Sequence, residues 1–204
     1  MATMILPVGH YLGQYYSSAT LEPDSFDVRV GDDVHNLSAD EYTVWSIAHG
    51  FPEMIGDRRP SRPIVEAQAT QLGIEDSPVV FQRLVNSGLV AALTMRSQMF
   101  DFAEEHRAYP SAVCLGNTAQ DVESYVLGRA QTPLATVTQD VFFVWSYLPR
   151  FESLRDAADE VAADYAANGS EQDSENFSSD VILWSFFQAL PTLVATSCVF
   201  IDQV

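Results

Sequence analysis

Apolar and polar residues alternate along the chain in patterns that predict strands and helices. From Phe26 to Val30 every second residue is apolar, which is typical of a half-buried strand. After a polar turn, Val34 to Leu37 is predicted to form a second strand that pairs with the first. Apolar residues spaced three and four apart then predict three helices, followed by an apolar run that predicts a closing strand. In the first half of the chain the predicted helices span 38–50 and 63–72, and a third begins at Asp76 or Ser77 and ends between Asn86 and Gly88. The strand is predicted at 89–95. Residues 96–106 are ambiguous and are interpreted as a wing followed by a linking helix.

The first of these helices has signals at both ends. Ser38 is expected to cap its N-terminus, and Glu41, three residues later, completes a capping box in which each side chain bonds a backbone N–H of the other residue. Gly50 is expected to end the helix, because glycine adopts the left-handed conformation common there, and Pro52 prevents its continuation. His49, beside that end, is expected to be a cation that interacts with the helix dipole.

The second half repeats this order of elements. Strands are predicted at 112–115, 124–127 and 134–137, and helices at 138–148, 153–167 and 179–190. We expect Pro191 to end the third helix, because proline lacks the backbone N–H that would continue it. Residues 192–201 are then expected to form the closing strand.

Short sequence matches indicate an internal repeat. Val44-Trp45-Ser46 recurs as Val144-Trp145-Ser146, and further segments match in the same order along the chain, as expected for two copies of one unit. The sequence therefore predicts two tandem domains, at 1–107 and 108–204, with Trp45 and Trp145 in their cores. The other matching pairs are Leu12-Gly13-Gln14 with Leu115-Gly116-Asn117, Ser77-Pro78-Val79 with Ser179-Asp180-Val181, and Leu89-Val90-Ala91 with Leu193-Val194-Ala195.

A β-hairpin, three helices and a closing strand or wing are the elements of a winged-helix domain. The hairpin, followed by Leu37-Ser38 and by Val44-Trp45 ahead of Gly50, resembles the PqqD-like domains that recognise leader peptides in peptide-modifying pathways. The resemblance covers about residues 26–90 and, more weakly, 122–195. It implies an α+β fold of two tandem winged-helix-like domains. It also implies that a peptide adds a strand beside the hairpin and packs on the third helix.

The charge of the chain is strongly negative, and all of its basic residues are arginines. Ten arginines and 28 acidic residues give a net charge of −18. A surface of this sign repels nucleic acids and anionic lipids, so we expect neither non-specific DNA binding nor membrane association. Without lysine, neither Schiff-base chemistry nor a P-loop can be built. A basic partner is expected instead.

Motifs for catalysis and metal binding are missing from the sequence. None of the four histidines has metal-ligand spacing, and the serine-hydrolase, dinucleotide-binding and zinc-protease motifs do not occur. We therefore expect a protein that is not an enzyme and has no cofactor. Cys114 and Cys198 lie in apolar segments, so both are expected to be buried and reduced, which, with no signal peptide recognised, favours the cytoplasm.

Three groups of residues are candidates for binding a partner. The first lies in the third helix of the second copy, which is apolar almost all round and must pack against its own domain, the other copy or another chain. The second is the one local cluster of arginines, which either docks an acidic segment or only offsets nearby acids. The third is the polar face of the third helix of the first copy. The candidates are, in that order, Trp184 and Phe187; Arg58, Arg59 and Arg62; and Gln82, Arg83 and Asn86.

The expected function is recognition of a peptide or protein partner by an adaptor that catalyses no reaction, either as a monomer or as a homodimer. Two alternatives stay open. A winged helix also suits a transcription regulator whose third helix enters the major groove of DNA, although that helix has no basic residue in the second copy. An acidic protein can also mimic DNA and inhibit a DNA-binding protein, which requires carboxylates spaced like phosphates on one face.

Overall fold

The computed structural model describes residues 3–19, 21–52, 59–168 and 177–204. Helices and small β-sheets alternate along the chain, so the fold is of the predicted α+β class. Contacts within the chain divide it into two compact units. The first comprises Met1–Met95 and Ile201–Gln203, and the second comprises Arg96–Phe200 and Val204. The copy boundaries at 1–107 and 108–204 stay a prediction.

The first unit contains two sheets and three helices. β2, β3 and β4 form a three-stranded antiparallel sheet in that order, and β1 pairs antiparallel with β5. Its elements in chain order are β1 (Met4–Pro7), β2 (His10–Tyr15), β3 (Ser25–Val30), β4 (Asp33–Leu37), α1 (Ala39–Ala48), α2 (Arg62–Gln71), α3 (Ser77–Asn86) and β5 (Val90–Leu93).

The second unit begins with a helix and then shows a comparable set of elements. β7, β8 and β9 form a three-stranded antiparallel sheet, and β6 pairs with β10. Its elements in chain order are α4 (Arg96–Glu105), β6 (His106–Pro110), β7 (Val113–Thr118), β8 (Asp121–Arg129), β9 (Thr132–Thr138), α5 (Gln139–Tyr147), a 3₁₀ turn (Leu148–Arg150), α6 (Leu154–Asn168), α7 (Ser179–Ala195) and β10 (Val199–Gln203), the last three residues of which count with the first unit.

An aromatic pair joins the three-stranded sheet to the first helix after it in both units. In the first unit, the rings of Phe26 and Tyr42 stack with their centroids 4.4 Å apart. In the second, Tyr125 and Phe142 stack at 4.1 Å. The same order of a strand, a three-stranded sheet, three helices and a returning strand thus occurs twice among the described residues. That these units are winged helices remains a prediction.

The two tryptophans at matching positions of the repeat are core residues, as predicted. Trp45 and Trp145 are both buried. A buried indole N–H needs an acceptor, and each finds a backbone carbonyl. The indole Nε1 of Trp45 donates to the oxygen of Val8 at 3.1 Å, and that of Trp145 donates to the oxygen of Cys198 at 3.2 Å.

The N-terminus of α1 has the capping box that the sequence predicts. The backbone N–H of Glu41 donates to Ser38 Oγ at 3.3 Å, and the backbone N–H of Ser38 donates to a Glu41 carboxylate oxygen at 3.0 Å. A similar bond begins α6, where the Asp156 N–H donates to Ser153 Oγ at 3.0 Å. Each such bond satisfies a helix N–H that has no partner within the helix, and it fixes where the helix starts.

The prediction that Pro191 ends the last helix is wrong. α7 continues through Pro191 to Ala195, so residues 192–201 do not form one strand and β10 begins later. A proline inside a helix costs about 3 kcal/mol in lost hydrogen bonding and steric conflict. Leu190 and Leu193 on either side are completely buried, so their burial offsets that cost and keeps the backbone helical.

Residues Ile201–Gln203 complete the first unit. The oxygen of Ile201 accepts a hydrogen bond from Gly9 N at 2.7 Å. The carboxylate of Asp202 is fully buried, and its Oδ1 accepts from Gly31 N at 2.6 Å. Its Oδ2 lies 3.6 Å from a guanidinium nitrogen of Arg29. A buried carboxylate is stable only with such partners, so Asp202 ties this segment to the turn between β3 and β4.

His49 caps the C-terminus of α1 as a neutral residue, which corrects the expected cation. Burial lowers the pKa of His49 from 6.5 to about 4. Its Nδ1 lies 3.0 Å from the oxygen of Trp45, and the two rings meet edge to face with centroids 4.4 Å apart. A protonated imidazole would lose its hydration in this position, and desolvation outweighs the attraction of the helix dipole.

We expect the first unit to lose stability in mild acid through His49. Since the folded-state pKa is below the unfolded value, the unfolded chain binds the extra proton, and stability present above pH 6.5 is lost as the pH falls toward 4. Between about pH 7.5 and pH 5 the free energy of unfolding should fall by about 2 kcal/mol more in the wild type than in H49Q. Urea denaturation at each pH measures this. H10Q, which changes an exposed histidine, should follow the wild type, and an H49Q profile identical to the wild type would contradict the assignment.

Candidate functional site

Three of the predicted site residues are joined by hydrogen bonds in the first unit. Arg62 on α2 donates from a guanidinium nitrogen to Gln82 Oε1 on α3 at 2.9 Å. Gln82 Nε2 in turn donates to Asn86 Oδ1 at 3.0 Å, one helical turn further along α3. The Arg62 guanidinium also lies 5.1 Å from the ring centroid of Phe81. The structure therefore brings these polar side chains together on the surface of α2 and α3.

The positive charges of this surface are paired within the unit. Arg62 Nε lies 2.6 Å from a carboxylate oxygen of Glu66. A guanidinium nitrogen of Arg83 lies 2.9 Å from a carboxylate oxygen of Glu41. Burial alone would raise the pKa of Glu41, but hydrogen bonds from Ser38 and Arg83 hold it below its usual value. The Glu41 carboxylate is therefore ionised near neutral pH. Arg62 and Arg83 each have an acidic partner, so this surface presents polar groups without an excess of positive charge.

The structure describes two of the three arginines of the predicted cluster. Arg58 lies outside the described residues. Arg59 is exposed, and Arg62 belongs to the hydrogen-bonded group on α2 and α3. Of the two interpretations left open for the cluster, the pairing of Arg62 with Glu66 favours the one in which arginine offsets a nearby acid.

The predicted binding residues on α7 lie in different environments. Phe187 is 0% exposed, and its ring meets that of Phe102 edge to face with centroids 6.3 Å apart. It is therefore a core residue of the second unit and is not accessible to a partner. Trp184 is half-buried, and the guanidinium of Arg96 lies 5.2 Å from its ring centroid. The apolar face of α7 thus packs within its own unit, which is the first of the three alternatives left open.

Two edge strands carry exposed apolar side chains that are not among the predicted binding residues. β2 and β7 are each the first strand of a three-stranded sheet and lie at its edge. On β2 the side chains of Leu12 and Tyr15 are 52% and 53% exposed, and on β7 those of Val113 and Leu115 are 55% and 38% exposed. The sequence match of Leu12-Gly13-Gln14 with Leu115-Gly116-Asn117 indicates that β2 and β7 are equivalent strands of the repeat.

A glycine interrupts the pairing of each edge strand at the same place. The register of β2 on β3 shifts between Tyr11 and Gly13, and that of β7 on β8 shifts between Cys114 and Gly116. Both glycines have positive φ, 128° and 94°, which other residues rarely adopt. The bulges leave one leucine exposed beside each glycine. Cys114 on β7 is also exposed, which corrects the expectation that both cysteines are buried.

Two carboxylates lie at the start of β3, the central strand of the first sheet, which pairs with β2. Asp24 accepts a hydrogen bond from Ser17 N at 2.5 Å, which lowers the pKa of Asp24. Asp27 accepts from Ser25 Oγ at 2.7 Å and from Asn36 Nδ2 at 2.8 Å, which lowers the pKa of Asp27. Both carboxylates are therefore ionised at neutral pH. They place two negative charges next to β2.

The described residues contain no group of three or more histidine, cysteine or acidic side chains arranged to hold a metal ion. Within the same residues, no helix combines the length and the apolar character needed to cross a lipid bilayer. Comparison with protein-family models, with curated proteins and with solved structures finds no match to this chain.

Proposed function

We propose that this protein binds an extended segment of a protein or peptide partner and catalyses no reaction. The observation that carries the proposal is that β2 and β7, equivalent edge strands of two sheets, both keep exposed leucines at Leu12 and Leu115. A peptide that adds a strand to such an edge gains backbone hydrogen bonds and places alternate side chains on the sheet.

An exposed apolar edge strand is a feature that proteins normally avoid. Edges are commonly blunted by charged side chains, proline or bulges, because an open edge pairs with other chains. Here the glycine bulges at Gly13 and Gly116 limit the pairing length, whereas the adjacent leucines stay exposed. Retaining an apolar side chain at both edges is what a strand-binding site requires.

The partner is expected to be basic and to alternate apolar with polar residues. Asp24 and Asp27 supply negative charge beside β2, and the whole chain carries −18. At β2, alternate side chains of an added strand would contact Leu12 and leave the others near these carboxylates. The exposed polar face of α3, with Gln82 and Asn86, offers a second contact of the kind that the PqqD-like resemblance implies.

The alternative of a DNA-binding regulator has less support. Its best candidate surface is α3, where Arg83 pairs with Glu41 and Arg62 on the adjacent helix pairs with Glu66. Phosphate binding would have to replace these pairs and overcome the net charge of the chain. We therefore keep peptide recognition as the proposed function.

Peptide selection from a random displayed library tests the proposal. We expect enriched peptides to alternate apolar and basic residues and to bind with a stoichiometry of two per chain. L12K and L115K should each remove one binding site, with at least about tenfold weaker binding there, because each removes an apolar contact and adds repulsion toward a basic peptide. L72K is the matched control, since Leu72 is a leucine that is 66% exposed and lies outside both sheets.

Hydrogen exchange locates the bound peptide independently of the variants. Strand addition should slow exchange of backbone amides in β2 and β7. Protection confined to α3 or α7, unchanged binding by L12K and L115K, or failure to enrich any peptide would each contradict strand addition at these edges.

A further inference from the structure

A pocket of about 270 Å³ lies between α5 and α6 in the second unit. Its size is just below the range typical of sites for drug-sized ligands, so it fits a single small chemical group. Three of its lining side chains are aromatic and one is a carboxylate. Its lining residues are Phe143, Tyr147, Val161, Asp164, Tyr165 and Asn168.

The aromatic rings form two walls of this pocket. Phe143 and Tyr165 meet at an interplanar angle of 68°, with their centroids 6.2 Å apart. Phe177 stacks on Tyr165 at 4.4 Å and holds that ring in place. Tyr147 adds a third ring, and its hydroxyl donates to Asp164 Oδ2 at 2.5 Å. The arrangement offers π faces and a carboxylate within one concavity.

The charges around the pocket favour a cation. Asp164 lines the pocket. Asp140 lies near enough to Tyr165 to interact with it electrostatically, and Glu160 does the same with Tyr147. Arg150 is the opposing cation, and its guanidinium lies 4.9 Å from the ring centroid of Tyr147. Three acidic side chains thus lie near the rings beside one arginine, a balance that favours a cation over an anion. Arg150 also shows that the Tyr147 ring accommodates a cation.

The described residues at the corresponding place in the first unit line a smaller cavity. There, the cavity between α1 and α2 has a volume of only about 10 Å³, and Ile47 and Phe51 are among the residues that line it. By the offset that relates Trp45 to Trp145, Ile47 stands where the second unit has Tyr147.

The geometry points to a site for an organic cation, an alkylated ammonium or a guanidinium group, in the pocket of Phe143, Tyr147 and Tyr165. Such groups bind aromatic faces through the ring quadrupole, and a nearby carboxylate adds an electrostatic attraction. The cation is either a free small molecule or a side chain of a protein. The site does not depend on strand addition at β2 and β7, so either proposal can fail without the other.

Binding of choline compared with 3,3-dimethylbutan-1-ol, its uncharged carbon isostere, tests the site on the intact chain. Titration followed by NMR should shift aromatic resonances of Phe143 and Tyr165 with choline. The uncharged isostere should bind at least about tenfold more weakly, because the cation–π attraction is lost. Equal binding of the two probes, or no shift with choline, would overturn the proposal.

Variants separate the roles of the rings and of the carboxylate. Y165A should weaken choline binding by at least about tenfold, whereas Y165F keeps the ring and should stay within about twofold of wild type. D164N changes an exposed carboxylate without removing packing and should weaken binding by several-fold. Y16A, at an exposed tyrosine of the first unit that lies outside β2, should leave choline binding unchanged. Unchanged affinity in D164N and in a folded Y165A would overturn the site.

A second arm identifies the source of the cation. Short peptides that carry trimethyllysine, unmodified lysine or arginine are titrated beside choline. Tighter binding of a peptide than of choline would assign the pocket to a cationic side chain of a partner, and tighter binding of choline would assign it to a free small cation. Either result supports a cation site, and weak binding of all these cations relative to the uncharged isostere contradicts it.

Discussion

Replacing Phe187 with alanine is expected to lower the free energy of unfolding of the second unit by about 4 kcal/mol. Phe187 is completely buried and packs against Phe102, so truncation leaves a cavity that the surrounding helices can only partly close. Urea denaturation followed by tryptophan fluorescence measures the change, since Trp145 and Trp184 report on this unit.

The variant W184A is the informative comparison for F187A. Trp184 is half-buried and contacts the guanidinium of Arg96, so its truncation should cost about 1 kcal/mol. F187L keeps most of the side-chain volume and should cost no more than about 1.5 kcal/mol. If F187A proved no more destabilising than W184A, Phe187 would not be the core residue described above, and the interface hypothesis for this helix would regain support.

The D202A variant is expected to lower the free energy of unfolding of the first unit by about 3 kcal/mol. Removing the carboxylate leaves the Gly31 N–H without its acceptor and Arg29 without its counter-ion. Because Arg29 is partly exposed, most of the loss is expected from the orphaned N–H and the cavity. Thermal and urea denaturation followed by circular dichroism measure it.

Two further variants divide the contribution of Asp202. D202N keeps an acceptor oxygen for Gly31 but loses the charge opposite Arg29, so its effect should be smaller than that of D202A. D33A removes an exposed carboxylate from the start of β4 and should change stability by no more than about 0.5 kcal/mol. Equal effects of D202A and D33A would show that Asp202 is not a structural tie.

Local signals in the sequence predicted those elements whose ends depend on nearby residues. The capping box of Ser38 and Glu41 acts within one helical turn, and the helix starts where it predicts. The alternation from Phe26 onward likewise identified β3. By contrast, β1 is a short run that is buried throughout and pairs with a strand more than eighty residues later, so it has no local pattern that distinguishes it.

The candidate site was predicted less well, because exposure depends on long-range packing. Polar helix residues such as Gln82 and Asn86 are exposed, as their helical positions predicted. Phe187 could not be separated from Trp184 by sequence, since both are aromatic residues on one apolar helix. The exposure of Leu12 and Leu115 follows from their place at a sheet edge, and an apolar residue in a strand pattern gives no sign of that place.

Residues Ile201–Gln203 determine when the first unit can complete its folding during translation. Ribosomes add roughly 5 to 20 residues per second, so about 5 to 20 s separate the emergence of Met95 from that of Ile201. Throughout this interval the amides of Gly9 and Gly31 lack their native acceptors. The first unit can therefore complete its fold only after residues 96–200 have been translated. A nascent chain that stalls within those residues would expose an incompletely folded first unit to proteases and chaperones.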